Sequence, residues 1–495
     1  MAAHIFREDP SMALLTDQYE LTMAMGYWKN GLADREAVFQ YFFRRLPFRG
    51  GFVLMAGLQE LIELLERYRF TESDLAYLST LKDNAGGPLF EQAFLDFLGA
   101  MEFACDIESA EEGTLVFPNE PLIRVCGPLI QAQLLESMIL NVINYQSLIA
   151  TKAARCCLAA EGDPVIEFGL RRAQGHDGAL SASRAAYLGG CAGTSNTLAG
   201  KVFGIPVMGT HAHSWVMVFG QDREAFEAFA AAFPNNCVFL VDTYDTLDGV
   251  REAVRVGLRL RERGHKMIGV RLDSGDLAYF SVEARRMLDE AGLHDAVVMA
   301  SNELDEYLIR SLKTQGAEIA AWGVGTKLVT AFDEPALGGV YKLTAVRRQG
   351  DSEWDYKMKL SEQTAKISIP GVQKVQRYSG ADGQFVADAI MDIGEEPERV
   401  ERIVDPNDIH RSRRLTDVAA SEPLMREIFR RGQRVYESPS IEGMRTRAAD
   451  QLSRLHHSHK RFENPHLYPV GISGRLQDIR EGMIGRLRGN NLPTK

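Results

Sequence analysis

The sequence predicts an α/β protein whose central strands run parallel, in a sheet or an incomplete barrel, with an α+β module before them and an α+β extension after. Three observations predict it. Short apolar runs rich in β-formers recur between residues 164 and 325, and helical patterns separate them, as in βα units. None of the runs alternates strictly between apolar and polar residues, so each strand is covered on both faces. Each run also ends in glycine or a polar residue, where α/β proteins gather their chemistry.

Composition bounds what such a fold can do. The 495 residues allow about three domains, and the texture divides them at 1–135, 136–345 and 346–495. Apolar residues make up 45% and charged residues 25%, enough for a sizeable core. A net charge of −11 argues against a nucleic-acid or anionic-membrane partner, while leaving room for a local basic pocket. Six cysteines, at 105, 126, 156, 157, 191 and 237, show no CxxC spacing and read as free thiols of a reducing compartment. Glu8 and Asp9 interrupt the N-terminus where a signal peptide needs an apolar stretch, and no apolar run is long enough to span a membrane. A cytoplasmic enzyme is the expectation.

Taken in order, residues 14–29 read as a helix capped by Thr16 or Asp17, with Tyr19, Met23 and Gly26 at helical spacing. AVFQYFFRRLPF (37–48) reads as a strand running into a basic cluster, Arg44, Arg45 and Arg49. An amphipathic helix comes next, then helical, acidic sequence over 71–110, then two short strands around the Pro-Asn turn of residues 113–128. A long apolar helix begins at 129 and leads into seven β runs: 164–169, 186–193, 205–209, 237–242, 267–273, 296–301 and 319–325. Beyond GGVYKLTAV the rhythm is lost. KMKLSEQTAKISIPGVQKVQRY carries short β patterns, while REIFRRGQRV and TRAADQLSRLHHSHKRF read as charged helices. His456, His457 and His459 stand among Arg454, Lys460 and Arg461, with no cysteine at zinc-ligand spacing, and read as a solvated basic face.

Each run delivers polar residues at its far end. Past the first come Arg171 and Arg172, past the second Ser195 and Asn196, past the third Thr210, His211 and His213. Asp242 and Thr243 close the fourth run; Arg271 and Asp273 belong to the fifth; Ser301 and Asn302 close the sixth; Gly323, Gly325 and Thr326 close the seventh. In a parallel fold these ends converge on one mouth. Arginines there bind phosphate or carboxylate bidentately, and Asp273 with Asp242 can carry the Mg²⁺ that phosphates complete. Gly-x-Gly-Thr at a helix start offers backbone N–H groups and a helix dipole to an anion. His211 and His213 have a rival meaning, since two histidines one residue apart on a strand can chelate a catalytic metal, as in barrel hydrolases. That mechanism wants further histidines at later strand ends, and His265 and His294 precede their strands instead.

LLTDQYELTMAMGYW, FGLRRAQG, AGTSNTLAG, GTHAHSW, RLDSGDL, ASNELDE and GVGTKLVT together resemble the blocks of the nicotinate phosphoribosyltransferase family, in that family's order. The resemblance implies a type II phosphoribosyltransferase with an irregular α/β barrel, a homodimer with shared active sites, and transfer of phosphoribosyl from phosphoribosyl pyrophosphate to nicotinate. It further implies coupling to ATP hydrolysis through a phosphohistidine at His213, in NAD salvage. Tyr19, Thr210 and Arg271 match nicotinate-binding positions, Tyr19 from the partner subunit, and Thr326 a phosphoribosyl position. Arg171 would meet the pyridine or the pyrophosphate, and Gly323, Gly325, Ser301 and Asn302 the phosphates. Nicotinamide-specific relatives carry aspartate where this chain has Asn196, so a neutral Asn196 would favour the acid. His211 matches a variable position.

Overall fold

The computed structural model describes residues 11–362 and 367–489. Glu8 and Asp9 lie outside the described residues, as do residues 363–366 of the KMKLSEQTAKISIPGVQKVQRY segment. The chain forms two compact units, Ile149–Pro335 and a unit built from Met1–Leu148 with Ala336–Lys495.

The unit Ile149–Pro335 is an open α/β sheet. Six strands run in the order Gly193–Thr194, Val165–Glu167, Ala321–Val324, Val297–Ala300, Gly269–Leu272, Val238–Leu240, every pair parallel. A single bridge from Thr194 to Val207 extends one edge. Among the described residues no pairing joins that edge to Val238–Leu240, so no barrel closes. The connecting helices start where the strand-end loops supply an aspartate: Asp245, Asp276 and Asp305 each accept from the backbone N–H three residues on. Helix Thr246–Glu262 then buries Val250, Ala253, Val256 and Leu260, at the spacing that holds one face to the sheet.

Two predicted strands shrink. In 186–193 the helix Gly175–Leu188 takes the first half, because Ala182, Ala185, Ala186 and Leu188 are buried on its core side; only Gly193–Thr194 pairs. In 205–209 only Val207 bridges, since Pro206 has no N–H to extend the ladder.

The other unit holds a seven-stranded antiparallel sheet ordered Asp355–Tyr356, Gly339–Arg348, Arg35–Phe43, Ile123–Pro128, Asp106–Ala110, Met425–Arg430, Gln433–Arg434. Arg35–Phe43 pairs on both sides, with Gly339–Arg348 and with Ile123–Pro128, so sequence from before residue 135 and from around 346 shares one sheet. A second sheet, of six strands, lies in the C-terminal part. REIFRRGQRV is not a helix but a hairpin: Met425, Ile428 and Phe429 are buried, and Gly432 turns the chain at φ 74°. The end of the acidic 71–110 stretch is likewise a strand, Asp106–Ala110, after helices Glu72–Thr80 and Gln92–Gly99. None of the six cysteines forms a disulfide among the described residues. Among the described residues no helix is long and apolar enough to cross a membrane.

Candidate active site

The C-terminal ends of the parallel strands open onto one cavity of about 350 Å³ within the unit Ile149–Pro335. A single turn after Val165–Glu167, residues Leu170–Arg172, sets Arg171 and Arg172 on its wall. Gly193–Thr194 delivers Ser195, and the Val207 bridge delivers Thr210 and His211. Gly269–Leu272 supplies Arg271 and is followed by Asp273. Val297–Ala300 leads to Ser301 and Asn302, and Ala321–Val324 supplies Gly323 and leads to Gly325 and Thr326.

Asp273 is the node of this wall. One of its oxygens accepts from Ser301 Oγ. Its backbone N–H donates to Asp242 Oδ2 at 2.8 Å, and Ser274 Oγ donates to the same oxygen at 2.7 Å. Asp242 thereby holds the turn that aims Asp273, while its other oxygen, Oδ1, is buried and has no partner among the described residues. His213 opens the helix His213–Phe219 just outside the wall. Its Nδ1 is 3.1 Å from Thr243 Oγ1, and its Nε2 is 3.8 Å from Asp273 Oδ2, so the ring is tied to the cavity through that carboxylate.

His211 behaves differently. It is buried, with its ring among Phe226, Phe229 and Phe239. Nε2 accepts from the Leu240 N–H at 3.3 Å, so the proton sits on Nδ1, which donates to Ala212 O at 3.4 Å. Burial pulls its pKa down to about 4. With both nitrogens engaged the ring has no lone pair for a cation, and the chelating reading of His211 with His213 fails on donor chemistry.

Arg271 donates through Nη1 to Thr210 Oγ1 and lies 6.0 Å from the centre of the Phe168 ring. Its Nε is buried with no partner among the described residues. Burial lowers this guanidinium below its ordinary range, against the opposing pull of Asp273 and Asp242. Phe168 also explains Gly323: a Cβ there would stand 2.7 Å from the Phe168 ring. Asn302 takes φ 109°, a strained conformation that persists where surroundings impose it, and these cluster at ligand sites.

Several expectations need correction. The helix after Gly325 runs only Thr326–Val329, too short for a substantial dipole, which leaves the backbone and the Thr326 hydroxyl as the anion-facing groups. Asn196 is buried and does not line the cavity. Its Oδ1 caps helix Thr197–Phe203 by accepting from Ala199 N–H at 3.2 Å, and its Nδ2 donates to Ser183 Oγ at 3.2 Å. Ser183 and Thr194 both donate to the buried Glu167, whose other oxygen accepts from Gly169 N–H at the head of the arginine turn. Glu167 escaped the sequence reading; a lone glutamate inside the apolar run PVIEFG was the signal. Tyr19 belongs to the other unit, half exposed on helix Gln18–Lys29, where burial and Glu136 raise its hydroxyl. His265 and His294 bind Asn235 and Asp289 and take no part in the cavity. His459 bonds the His466 carbonyl through Nδ1 at 2.6 Å.

The chain is similar along nearly its whole length to known proteins. The family models described as nicotinate phosphoribosyltransferase match at residues 14–144 (N-terminal domain), 164–368 (the family model itself) and 372–480 (C-terminal domain). A Bacillus subtilis nicotinate phosphoribosyltransferase is 44% identical over 485 residues, covering 96% of each chain. The Bos taurus protein of that name is 36% identical over 531 residues, covering 96% of this chain and 97% of its own. The crystal structure of human nicotinic acid phosphoribosyltransferase superposes with a TM-score of 0.82 at 34% identity, over 94% of this chain and 99% of that one. Nicotinate-nucleotide pyrophosphorylase from Pyrococcus furiosus, at 21% identity and a TM-score of 0.68, shares the fold.

Proposed function

The chain belongs to the nicotinate phosphoribosyltransferase family, and on that premise we propose how its strand-end pocket carries the family's reaction. The reaction joins nicotinate to phosphoribosyl pyrophosphate and releases nicotinate mononucleotide and pyrophosphate, a step of NAD salvage. One observation carries the residue assignment: three arginines, a threonine pair and an aspartate from different strand ends line a single cavity, with His213 at its edge.

The nicotinate carboxylate is read by Arg271 and Thr210. Their hydrogen bond to each other presets the guanidinium, and the unpartnered Nε of Arg271 has a valence to spare. Cations against a carboxylate favour the acid over the amide, so Arg271 carries the discrimination that Asn196 does not. The pyridine ring nitrogen attacks the anomeric carbon of the ribose as the bond to pyrophosphate breaks. Arg171, Thr326 and the backbone at Gly325 receive the leaving phosphates, while Asp273 faces the positive charge that develops on the sugar. Mg²⁺ fits the donor set: Asp242 Oδ1 is an unpartnered buried carboxylate oxygen beside Asp273, and Mg²⁺ sites take one or two carboxylates plus substrate phosphates. When bound, the ion would neutralise the leaving pyrophosphate.

ATP is proposed as a coupled substrate whose γ-phosphoryl passes to His213, with ADP leaving. Thr243 orients that ring and Asp273 faces its other nitrogen. The added negative charge beside Asp273 would reorganise the donors that hold pyrophosphate. We also propose that the open parallel sheet is the incomplete, irregular barrel of the type II class, that the chain forms a homodimer in which Tyr19 serves the partner's site, and that its location is cytoplasmic. Nicotinate-dependent pyrophosphate release, measured with and without ATP, tests the reaction. His213→Ala is expected to leave no acid-labile phosphoprotein after exposure to ATP, and recovery of one from that variant overturns the histidine's role.

A further inference from the structure

A second cavity, of about 800 Å³, lies wholly within the unit formed by Met1–Leu148 and Ala336–Lys495. Five guanidiniums line it, those of Arg44, Arg45, Arg49, Arg411 and Arg413, against one carboxylate, Asp405. Among the described residues Asp405 is in ion-pair range of one of them, Arg411, at 3.8 Å, and its other oxygen accepts from Asn407 N–H at 2.8 Å. The other four have no carboxylate in ion-pair range among the described residues. In a chain of net charge −11 this is a local reversal of sign, and like charges gathered without counter-ions repel unless an anion joins them. Arg411 and Arg413 stand two apart on the strand Asp408–Arg414 and so project from one face, spaced for adjoining phosphates.

Backbone conformation marks the same place. Nine non-glycine residues among those described have positive φ, and three of them line this cavity: Arg49 at 49°, Asn119 at 71° and Asn464 at 45°. Such conformations cluster at ligand sites because only surrounding structure holds them. The floor is stiff. Tyr468 stacks on Phe117 with ring centres 3.9 Å apart, and its hydroxyl donates to the buried Asp388 at 2.9 Å. Leu467, Pro469 and Val470 add an apolar wall beside the arginines, and the volume suits a nucleotide-sized ligand.

We propose that this cavity binds a polyphosphorylated nucleotide, the arginines taking its phosphates and the Leu467–Val470 wall its base. Isothermal titration of the full chain with ADP and with inorganic pyrophosphate tests this. ADP is expected to show two binding events in the unaltered protein. Arg171→Ala should silence the strand-end event alone. Arg411→Ala with Arg413→Ala should weaken the other by about tenfold or more, while Arg411→Lys with Arg413→Lys, which keeps the charge without the bidentate fork, should lose less. Arg45→Ala, on another segment, should reproduce the loss with an unchanged Tm. Pyrophosphate release at saturating substrates should stay within about twofold in all of the cavity variants. A single ADP event abolished by Arg171→Ala overturns the site. Pyrophosphate binding as tightly as ADP overturns the nucleotide, and a raised KM for phosphoribosyl pyrophosphate in the Arg411/Arg413 pair assigns the cavity to the reaction itself.

Discussion

Arg377 and Arg271 are both enclosed cations, one in each unit, and they are used in opposite ways. Every nitrogen of Arg377 is engaged: Nε and Nη2 on Asp388, Nη1 on Gln451 Oε1 at 2.9 Å, and Nη2 again on Leu115 O at 2.8 Å. The Phe385 and Phe117 rings flank it, and Asp388 holds its charge in place against the cost of burial. Arg271 has a threonine, an aromatic ring and an Nε with nothing to bond among the described residues. A saturated guanidinium holds a fold together, whereas one left with spare valence beside a cavity is arranged for something that arrives from solution.

Substitutions can break that contrast. Arg377→Ala leaves Asp388 and Gln451 facing each other unneutralised and is expected to cost about 3–5 kcal/mol in denaturant unfolding. A loss below about 1 kcal/mol would erase the distinction. Arg271→Ala should lower kcat/KM for nicotinate by about 10²–10³ while shifting unfolding by under about 1 kcal/mol, and a large stability loss with little kinetic effect would invert the roles.

His211 sharpens the contrast by pH. Its pKa of about 4 in the folded chain lies below the ordinary 6.5, so the unfolded chain binds the proton first. Its stabilising contribution, up to about 3 kcal/mol, is complete above pH 6.5 and lost as pH falls towards 4. His211→Phe should flatten the unfolding-versus-pH curve in that window, and an unchanged slope would mean the ring is already charged there. The smallest effect belongs to Asn196→Asp. It removes the donor to Ser183 and adds a carboxylate near Glu167, so about 1–3 kcal/mol of stability should go and the KM values for both substrates should move together. Loss of nicotinate binding alone would return Asn196 to the ligand's first contacts.

The parallel unit was legible because its chemistry runs in chain order: each strand is succeeded at once by the residue it delivers, so Arg171, Thr210, Asp273, Ser301 and Thr326 could be read off as one wall. What escaped was side-chain direction. Asn196 and Ser195 are neighbours, yet one caps a helix and the other faces the cavity. His211 and His213 likewise part company, the first into an aromatic core. The antiparallel unit was far less legible. Met425–Arg430 owes its strand conformation to Asp106–Ala110, about three hundred residues earlier, and no local pattern in REIFRRGQRV announces that partner. The same distance hid the second cavity, whose arginines come from two ends of the chain.

Pairing of Arg35–Phe43 with Gly339–Arg348 also sets a timetable for biosynthesis. At about 5–20 residues per second, translation delivers the later strand some 15–60 s after the earlier one. Throughout that interval AVFQYFF offers a sticky, half-finished ribbon, a ready template for the wrong neighbour. The intervening unit, being contiguous, can complete itself meanwhile. Ribosome speed and chaperone occupancy over that window should therefore influence how much of it a cell accumulates.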